Sequence, residues 1–386
     1  MNDVPDTPAT EQHVDTGLSV LRSMFVAPLI AVFGFFWIAT VAAIAVDPLD
    51  LYEWGTPPKL LPDYSVHKGR SMFSAAARTD VDILLIGSST VAAITSGQLE
   101  EEFGVDKAFN FSITGPRPAD RRMILAQVAE HSPAERVIVS FDWSFALPAD
   151  YAHPAVPTFM FDDNIFNDLR LASPMVIGLT WQKMLGRPVG LSGWDYASTM
   201  PGDRRRYRRF QERMAREAHR PLPEIEYPAP GATDVSCSDY PLVSEILPEL
   251  VDGLTSRGKA VDFIIPPYSL RLYRTWRSRT DEAALKVRPF LARQLAIRRC
   301  LVEALGSHDK VRIFAFDNET WITGDLANYR DEAHLHEPEV YSFMVSSMAE
   351  GRNRLTADNF DEYAATLIAN VAGSTQNPAH DEDSER

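Results

Sequence analysis

From residue 80 onward the chain alternates between two patterns. Short, nearly unbroken apolar runs are separated by longer stretches in which apolar positions return at helical spacing. VDILLIG (81–87), KAFNFSI (107–113), ERVIVSFDW (135–143), AVDFIIPP (260–267) and DKVRIFAFD (309–317) read as strands, the fourth stopped by its prolines. ADRRMILAQVAEH (119–131), SEILPELVDGLTSRG (244–258, ending at Gly258) and DEAALKVRPFLARQLAIRRCLVEAL (281–305) read as helices. A further helix is predicted from near Pro338. Apolar strands alternating with helices predict an α/β domain, a parallel sheet flanked by helices and joined by right-handed crossovers. In such sheets the chemistry is expected in the loops at the C-terminal strand ends.

Upstream, FVAPLIAVFGFFWIATVAAIAV, Phe25 to Val46, carries no charge. A helix needs about 20 residues to cross a bilayer core, so this stretch is long enough, and it lacks the polar face of a core helix. Ala43-Ile44-Ala45 has the small-residue spacing of a signal-peptide cleavage site. Against cleavage, the apolar stretch is too long, and Asp3, Asp6, Glu11 and Asp15 occupy a segment that should be positive. The stretch reads as an uncleaved anchor. Arg22 precedes it, Asp47, Asp50 and Glu53 follow it, and the next base is Lys59. That bias favours a cytoplasmic N-terminus and a body on the exported, periplasmic side of the inner membrane.

The expected organisation is a cytoplasmic tail (1–24), a transmembrane anchor (25–46), a juxtamembrane connector (47–79), one α/β domain (80–371) and a disordered tail (372–386). Residues 145–235 break the alternation and read as an insert in that domain. It contains GDRRRYRRFQERMAREAHR (202–220), a basic helix candidate with Arg204, Arg208 and Arg216 near one face. Two readings are open for it. One is a docking surface for an anionic polymer, lipid headgroup or acidic partner. The other is a solvated helix that neutralises nearby carboxylates.

Charge narrows the function. Asp and Glu outnumber Lys and Arg by 53 to 38, a net charge of -15, which argues against nucleic acid as a partner. The cysteines, Cys237 and Cys300, are too few for a zinc ribbon. They form either one disulfide in an exported domain or two separate buried thiols.

The first strand ends on Gly87-Ser88-Ser89. A turn there, opening onto a helix, places a serine oxygen at the sheet edge beside backbone N–H groups, as acyl transfer requires. The plainer reading makes Ser88 or Ser89 a helix N-cap. A nucleophilic serine needs a base and an orienting carboxylate. YRDEAHLHEPEVYSFM (329–344) supplies Asp331 and His334, three residues apart, with His336 as competitor beside Glu332 or Glu337. A metal site is a third option in this cluster, ranked low because no other strand-end loop holds a histidine. Neither a metal nor a cofactor is expected.

These residues resemble the SGNH (GDSL-type) hydrolase superfamily over roughly residues 80–350. The resemblance rests on Ser89 in IGSST, Asn110 to Gly115 in NFSITG, and Asp331 with His334 in RDEAH, in that order. With FIIPPYS (263–269) and the anchor, it extends to membrane-anchored bacterial members, some of which act in O-acetylation of exported polysaccharides. It implies a three-layer, flavodoxin-like domain. It also implies Ser89 as nucleophile, His334 as general base and then acid, Asp331 as its orienting partner, and Gly115 as an oxyanion donor beside Ser89. The implied substrate is an acylated glycan or lipid, with a membrane acyltransferase as a candidate partner.

Two positions depart from the family pattern. Ser88 stands where an Asp is usual, and Asp142 falls about where an Asn donates to the oxyanion. An ionised carboxylate repels an oxyanion and donates only if its pKa is strongly raised. The indole of Trp143 is a substitute donor. Two functions therefore stand: a serine esterase or O-acyltransferase, or a non-catalytic SGNH-fold protein that binds glycan or scaffolds a membrane complex.

Overall fold

The computed structural model describes residues 12–46, 81–112, 116, 118–146, 174–186, 208–213, 216, 236–275 and 290–373. Their contacts divide the chain into two units, one formed by 1–55 with 158–190 and the other by 56–157 with 191–386.

The first unit contains α1 (Gln12–Val46), whose stretch Met24–Val46 is long and apolar enough to cross a membrane. It also contains one described helix of the insert, Pro174–Met184. These residues group with α1, against which they pack.

The second unit is the α/β domain. Its elements follow in chain order: β1 (Ile83–Gly87), α2 (Ser96–Phe103), β2 (Ala108–Ser112), α3 (Pro118–His131) and β3 (Arg136–Ser140). The helix Pro174–Met184 of the other unit is α4. Then come α5 (Leu247–Thr255), β4 (Ala260–Ile265), α6 (Leu270–Thr275), α7 (Phe290–Leu305) and β5 (Val311–Ala315). A small hairpin of β6 (Tyr329–Asp331) and β7 (His334–Leu335) precedes α8 (Pro338–Glu350) and α9 (Phe360–Gly373). The predicted helix 244–258 is α5 extended at its start by a π-helical turn, Leu242–Ile246, and Gly258 closes it at φ 89°. Of the predicted helix 281–305, residues 281–289 lie outside the described residues, as do the connector and 374–386 of the expected C-terminal tail, whose residues 372–373 end α9 instead.

All pairings in the large sheet are parallel, in the order β2-β1-β3-β4-β5. Every residue of β1 and β2 is buried; β1 is an unbroken apolar run, while β2 carries Asn110 and Ser112 between its apolar residues. Alternate residues Ile83 and Leu85 join Ile138, Ile264 and Phe314 in a core with Leu99 of α2 and Val340, Met344 and Met348 of α8. Asp262 interrupts β4 yet is fully buried, because Arg136 and Arg312 on the adjacent strands both reach its carboxylate at 2.7 Å. The edge of β5 is covered by an antiparallel bridge from Arg354, with Leu355 N–H donating to Ile313.

A disulfide joins Cys237 to Cys300, stapling the segment before α5 to α7. Of the two readings of the cysteines, the bridged one is observed. On the insert, 208–213 is helical, Phe210 is buried in the core, and Arg208 and Arg216 are exposed; Arg204 lies outside the described residues.

Candidate active site

The order 2-1-3-4-5 puts the topological switch point between β1 and β3, and loops at the C-terminal ends of these strands converge there. Gly87, the last residue of β1, sits in that convergence. A Cβ on it would lie 2.3 Å from Val91 Cγ2 and 2.6 Å from Ser112 Oγ, so only glycine fits. The chain then turns through 89–93, closed by Val91 N–H to Ser88 O and Ile94 N–H to Val91 O.

Neither serine caps a helix. The cap of α2 is Thr95, in a reciprocal capping box with Gln98. Ser88 is buried, its hydroxyl 2.9 Å from that of Thr90. Ser89, half-buried, extends its hydroxyl to His334 Nε2 at 2.8 Å. Among the described residues, no acceptor takes the Ser89 N–H.

Asp331 and His334 face each other as paired residues of the β6–β7 hairpin, with Glu332 and Ala333 between them. The three-residue spacing is therefore a tight β-hairpin. His334 Nδ1 lies 2.7 Å from Asp331 Oδ1, which also accepts the N–H groups of Ala333 and His334. Burial opposes the Asp331 charge. The His334 hydrogen bond and charge, the Ala333 N–H and Arg330 outweigh it and hold the carboxyl at about 2. An ionised carboxylate only accepts, so His334 Nδ1 carries a proton, and in the neutral form of the ring Nε2 is the nitrogen that accepts from Ser89. Of the competing histidines, His336 anchors the hairpin through its N–H to Asn328 O at 2.7 Å, and His334 is the one bonded to the serine. Glu332 faces Arg271 and Arg213 at 3.5 and 3.9 Å.

The other predicted residues have different jobs. Asn110, buried, donates both amide hydrogens to the carbonyls of Val91 and Ile94, at 3.1 and 2.6 Å, and accepts from Ser112. It braces the turn that carries Ser89, with no donor left for a ligand. Gly115 lies outside the described residues. Asp142 is not a donor either: it forms a buried ion pair with Arg121 of α3 at 2.5 Å and accepts from the N–H and hydroxyl of Ser144. Arg121 also donates to Ser140 O and Ser144 Oγ, and its guanidinium stacks over Phe145. The negative charge expected opposite an oxyanion is thus matched in place. Trp143 donates its backbone N–H to the Tyr268 hydroxyl at 3.0 Å. Tyr268 keeps its proton, its pKa raised by burial and then by the Asp142 charge.

Residues not singled out from sequence complete the frame. Buried Tyr341 of α8 places its hydroxyl 3.2 Å from Leu335 O and 3.5 Å from Thr90 O, next in sequence to His334 and Ser89 respectively. Ser269 holds the hairpin turn from the end of β4. It lies in the FIIPPYS stretch, which reads in the sequence as a strand stop and as part of the family resemblance, with no role for the serine. Among the described residues, no group of three or more His, Cys, Asp or Glu is placed to hold a metal ion. No protein-family model matches the chain, and no curated protein matches it.

Proposed function

We propose that the protein is a membrane-anchored serine esterase or O-acyltransferase of SGNH type, acting on an acylated glycan or lipid on the exported side of the membrane. One observation carries the reading: the relay from Ser89 Oγ to His334 Nε2 at 2.8 Å and from His334 Nδ1 to Asp331 at 2.7 Å. The Cys237–Cys300 bridge fits an oxidising compartment, and α1 fits the anchor.

In this reading Ser89 Oγ attacks the acyl carbonyl as His334 Nε2 takes its proton. Asp331 fixes the ring tautomer and stabilises the imidazolium. The Ser89 N–H donates to the developing oxyanion. Collapse breaks the ester bond, His334 returns the proton to the leaving alcohol, and an acyl-Ser89 intermediate remains. Water or a glycan hydroxyl, deprotonated by His334, then releases the acyl group. Hydrolysis and transfer differ only in this second acceptor. The charge of Asp142, which argued for a non-catalytic scaffold, is neutralised by Arg121 and no longer weighs against catalysis.

The test is covalent labelling of the full-length protein with a fluorophosphonate, alongside p-nitrophenyl acetate turnover. Wild type labels at Ser89; Ser89→Ala does not label, and His334→Ala labels far more slowly. Equal labelling of wild type and Ser89→Ala would remove the catalytic reading and leave the binding scaffold.

A further inference from the structure

We propose that α4, the helix within the insert, is a second membrane element that lies in the bilayer beside α1 with Trp181, Met184 and Leu185 facing lipid. The proposal rests on α1 as a membrane span.

The large apolar side chains exposed among the described residues fall almost entirely on two segments. One is α1, where Phe25, Leu29, Phe33 and Ile38 are all more than half exposed. The other is the end of α4, where Trp181, Met184 and Leu185 are 58%, 59% and 62% exposed. Outside these two, Trp321 is the only large exposed hydrophobe among the described residues, and its ring rests on Phe343. Surface spread over water does not normally concentrate apolar side chains in this way.

The two segments are in contact. The α1 surface is open from Met24 through Ile38 and closes only near its C-terminal end, where Thr40 and Ala43 are 3% and 2% exposed. On α4, Thr180 is buried, at 5% exposed. Small side chains at a helix contact allow close approach, the packing mode used inside membranes. Thr40 satisfies its hydroxyl on its own helix, donating to Phe36 O at 2.8 Å, which removes the cost of carrying it into hydrocarbon. A helix packed on the bilayer segment of α1 shares its depth, so the apolar face it leaves open meets lipid and continues the lipid-facing surface of α1.

Length sets the geometry. With 11 residues, α4 is about 16 Å long, roughly half of a hydrocarbon core. It cannot cross. It occupies the leaflet that α1 leaves at Val46. Trp181 suits the headgroup boundary at that depth. The chain thus enters the membrane unit twice, through 1–55 and through 158–190, and the α/β domain that holds Ser89 and His334 is inserted between and after these segments. The interruption at 145–235 then has a physical role as a second membrane attachment.

The test uses the full-length protein in phosphatidylcholine vesicles. Among the described residues no cysteine is free, so one introduced thiol takes one environment-sensitive nitrobenzoxadiazole label. Labels are placed at Phe33→Cys on α1, at Met184→Cys and Leu185→Cys on α4, and at exposed Asp358→Cys as an aqueous reference. Doxyl-lipid quenching at Met184→Cys and Leu185→Cys comparable to that at Phe33→Cys, with aqueous iodide quenching only Asp358→Cys, is the expected result. Quenching at Phe33→Cys with none at either α4 position overturns the proposal while the anchor stands. A blue-shifted α4 label untouched by doxyl lipid, and exposed on dilution of protein in the vesicles, also overturns it, in favour of a second copy on that face. Loss of doxyl quenching at Phe33→Cys removes the span itself and the proposal with it.

Discussion

Ser269 donates both its backbone N–H and its hydroxyl to the carbonyl oxygen of Glu332, at 3.1 and 2.9 Å. Glu332 opens the two-residue turn between Asp331 and His334. The loop at the end of β4 therefore holds the hairpin that aims the imidazole at Ser89. Ser269→Ala removes the hydroxyl bond to Glu332 O and the Oγ that accepts the Leu272 N–H at 3.2 Å, and leaves the backbone bond to Glu332, a loss of about 0.5–1.5 kcal/mol for the hairpin contact. Ser269 is fully buried, so substrate does not touch it. The expected outcome is kcat lowered up to about tenfold with KM unchanged, since 1.36 kcal/mol in the barrier is a factor of ten. A rise in KM at constant kcat would show that the turn shapes substrate binding.

The ionisation of Asp331 sets a pH dependence. Its carboxyl is held at about 2 in the folded protein against an ordinary 3.8. A folded value below the unfolded one stabilises the native state above about pH 3.8, and the contribution is lost as pH falls toward 2. With the side chain 32% exposed, the full contribution is discounted to on the order of 1–2 kcal/mol. Asp331→Asn should unfold more readily than wild type at neutral pH, and the two denaturation curves should converge as the pH approaches 2. Its kcat should fall by about 10³–10⁴, because a neutral amide no longer fixes the tautomer. Curves that stay parallel across that window would mean that the carboxylate is not held by His334.

Much of this was legible in the chain because of the parallel sheet. Strands buried on both faces keep few polar positions, so β1 to β5 stand out as mainly apolar runs between helices, with Asp262 an exception that needs its arginine partners. The strand ends were legible for the same reason: the first hydroxyls after ILLIG had to lie at the sheet edge. The Asp331–His334 spacing was visible, but its hairpin was not. Two strands of three and two residues are too short to show an alternation. Roles that depend on partners distant in sequence were hidden. Asn110 reads as a donor until Val91 and Ile94 are seen to consume it, and Asp142 reads as a stray charge until Arg121, 21 residues earlier, is placed against it. The grouping of α4 with α1 was hidden because a short apolar helix looks alike in a core and in a bilayer.

The Arg121–Asp142 pair gives a prediction that opposes the substitution suggested by the resemblance to SGNH hydrolases. Asp142→Asn installs the residue usual at that position, yet it strips the counter-charge from a guanidinium that is 2% exposed. Breaking a buried pair from one side costs about 3–5 kcal/mol, whereas removing both charges is often close to neutral. In urea denaturation Asp142→Asn and Arg121→Met should each be strongly destabilised, and the double variant Arg121→Met, Asp142→Leu should recover most of the loss. Esterase turnover per folded molecule should not rise in Asp142→Asn. A gain in turnover without a loss of stability would show that position 142 faces the oxyanion after all.

Asn110 separates a brace from an oxyanion donor most sharply. Its two amide hydrogens satisfy the carbonyls of Val91 and Ile94, which flank the turn through Ser89. Asn110→Ala leaves the buried Ile94 carbonyl without its amide donor and Val91 O with only the Ile94 N–H, at about 1–3 kcal/mol for an unmet group. Asn110→Asp is worse, because a carboxylate then faces two carbonyl oxygens with no proton between them. Stability should therefore fall from wild type to Ala to Asp. Turnover should fall in the same order, since the turn that carries Ser89 loosens. An oxyanion donor would behave differently: Asn110→Ala would keep its melting temperature and lose about 10²–10³ in kcat alone. The melting temperatures and kcat values of the two variants, measured on the same preparations, decide between the two roles.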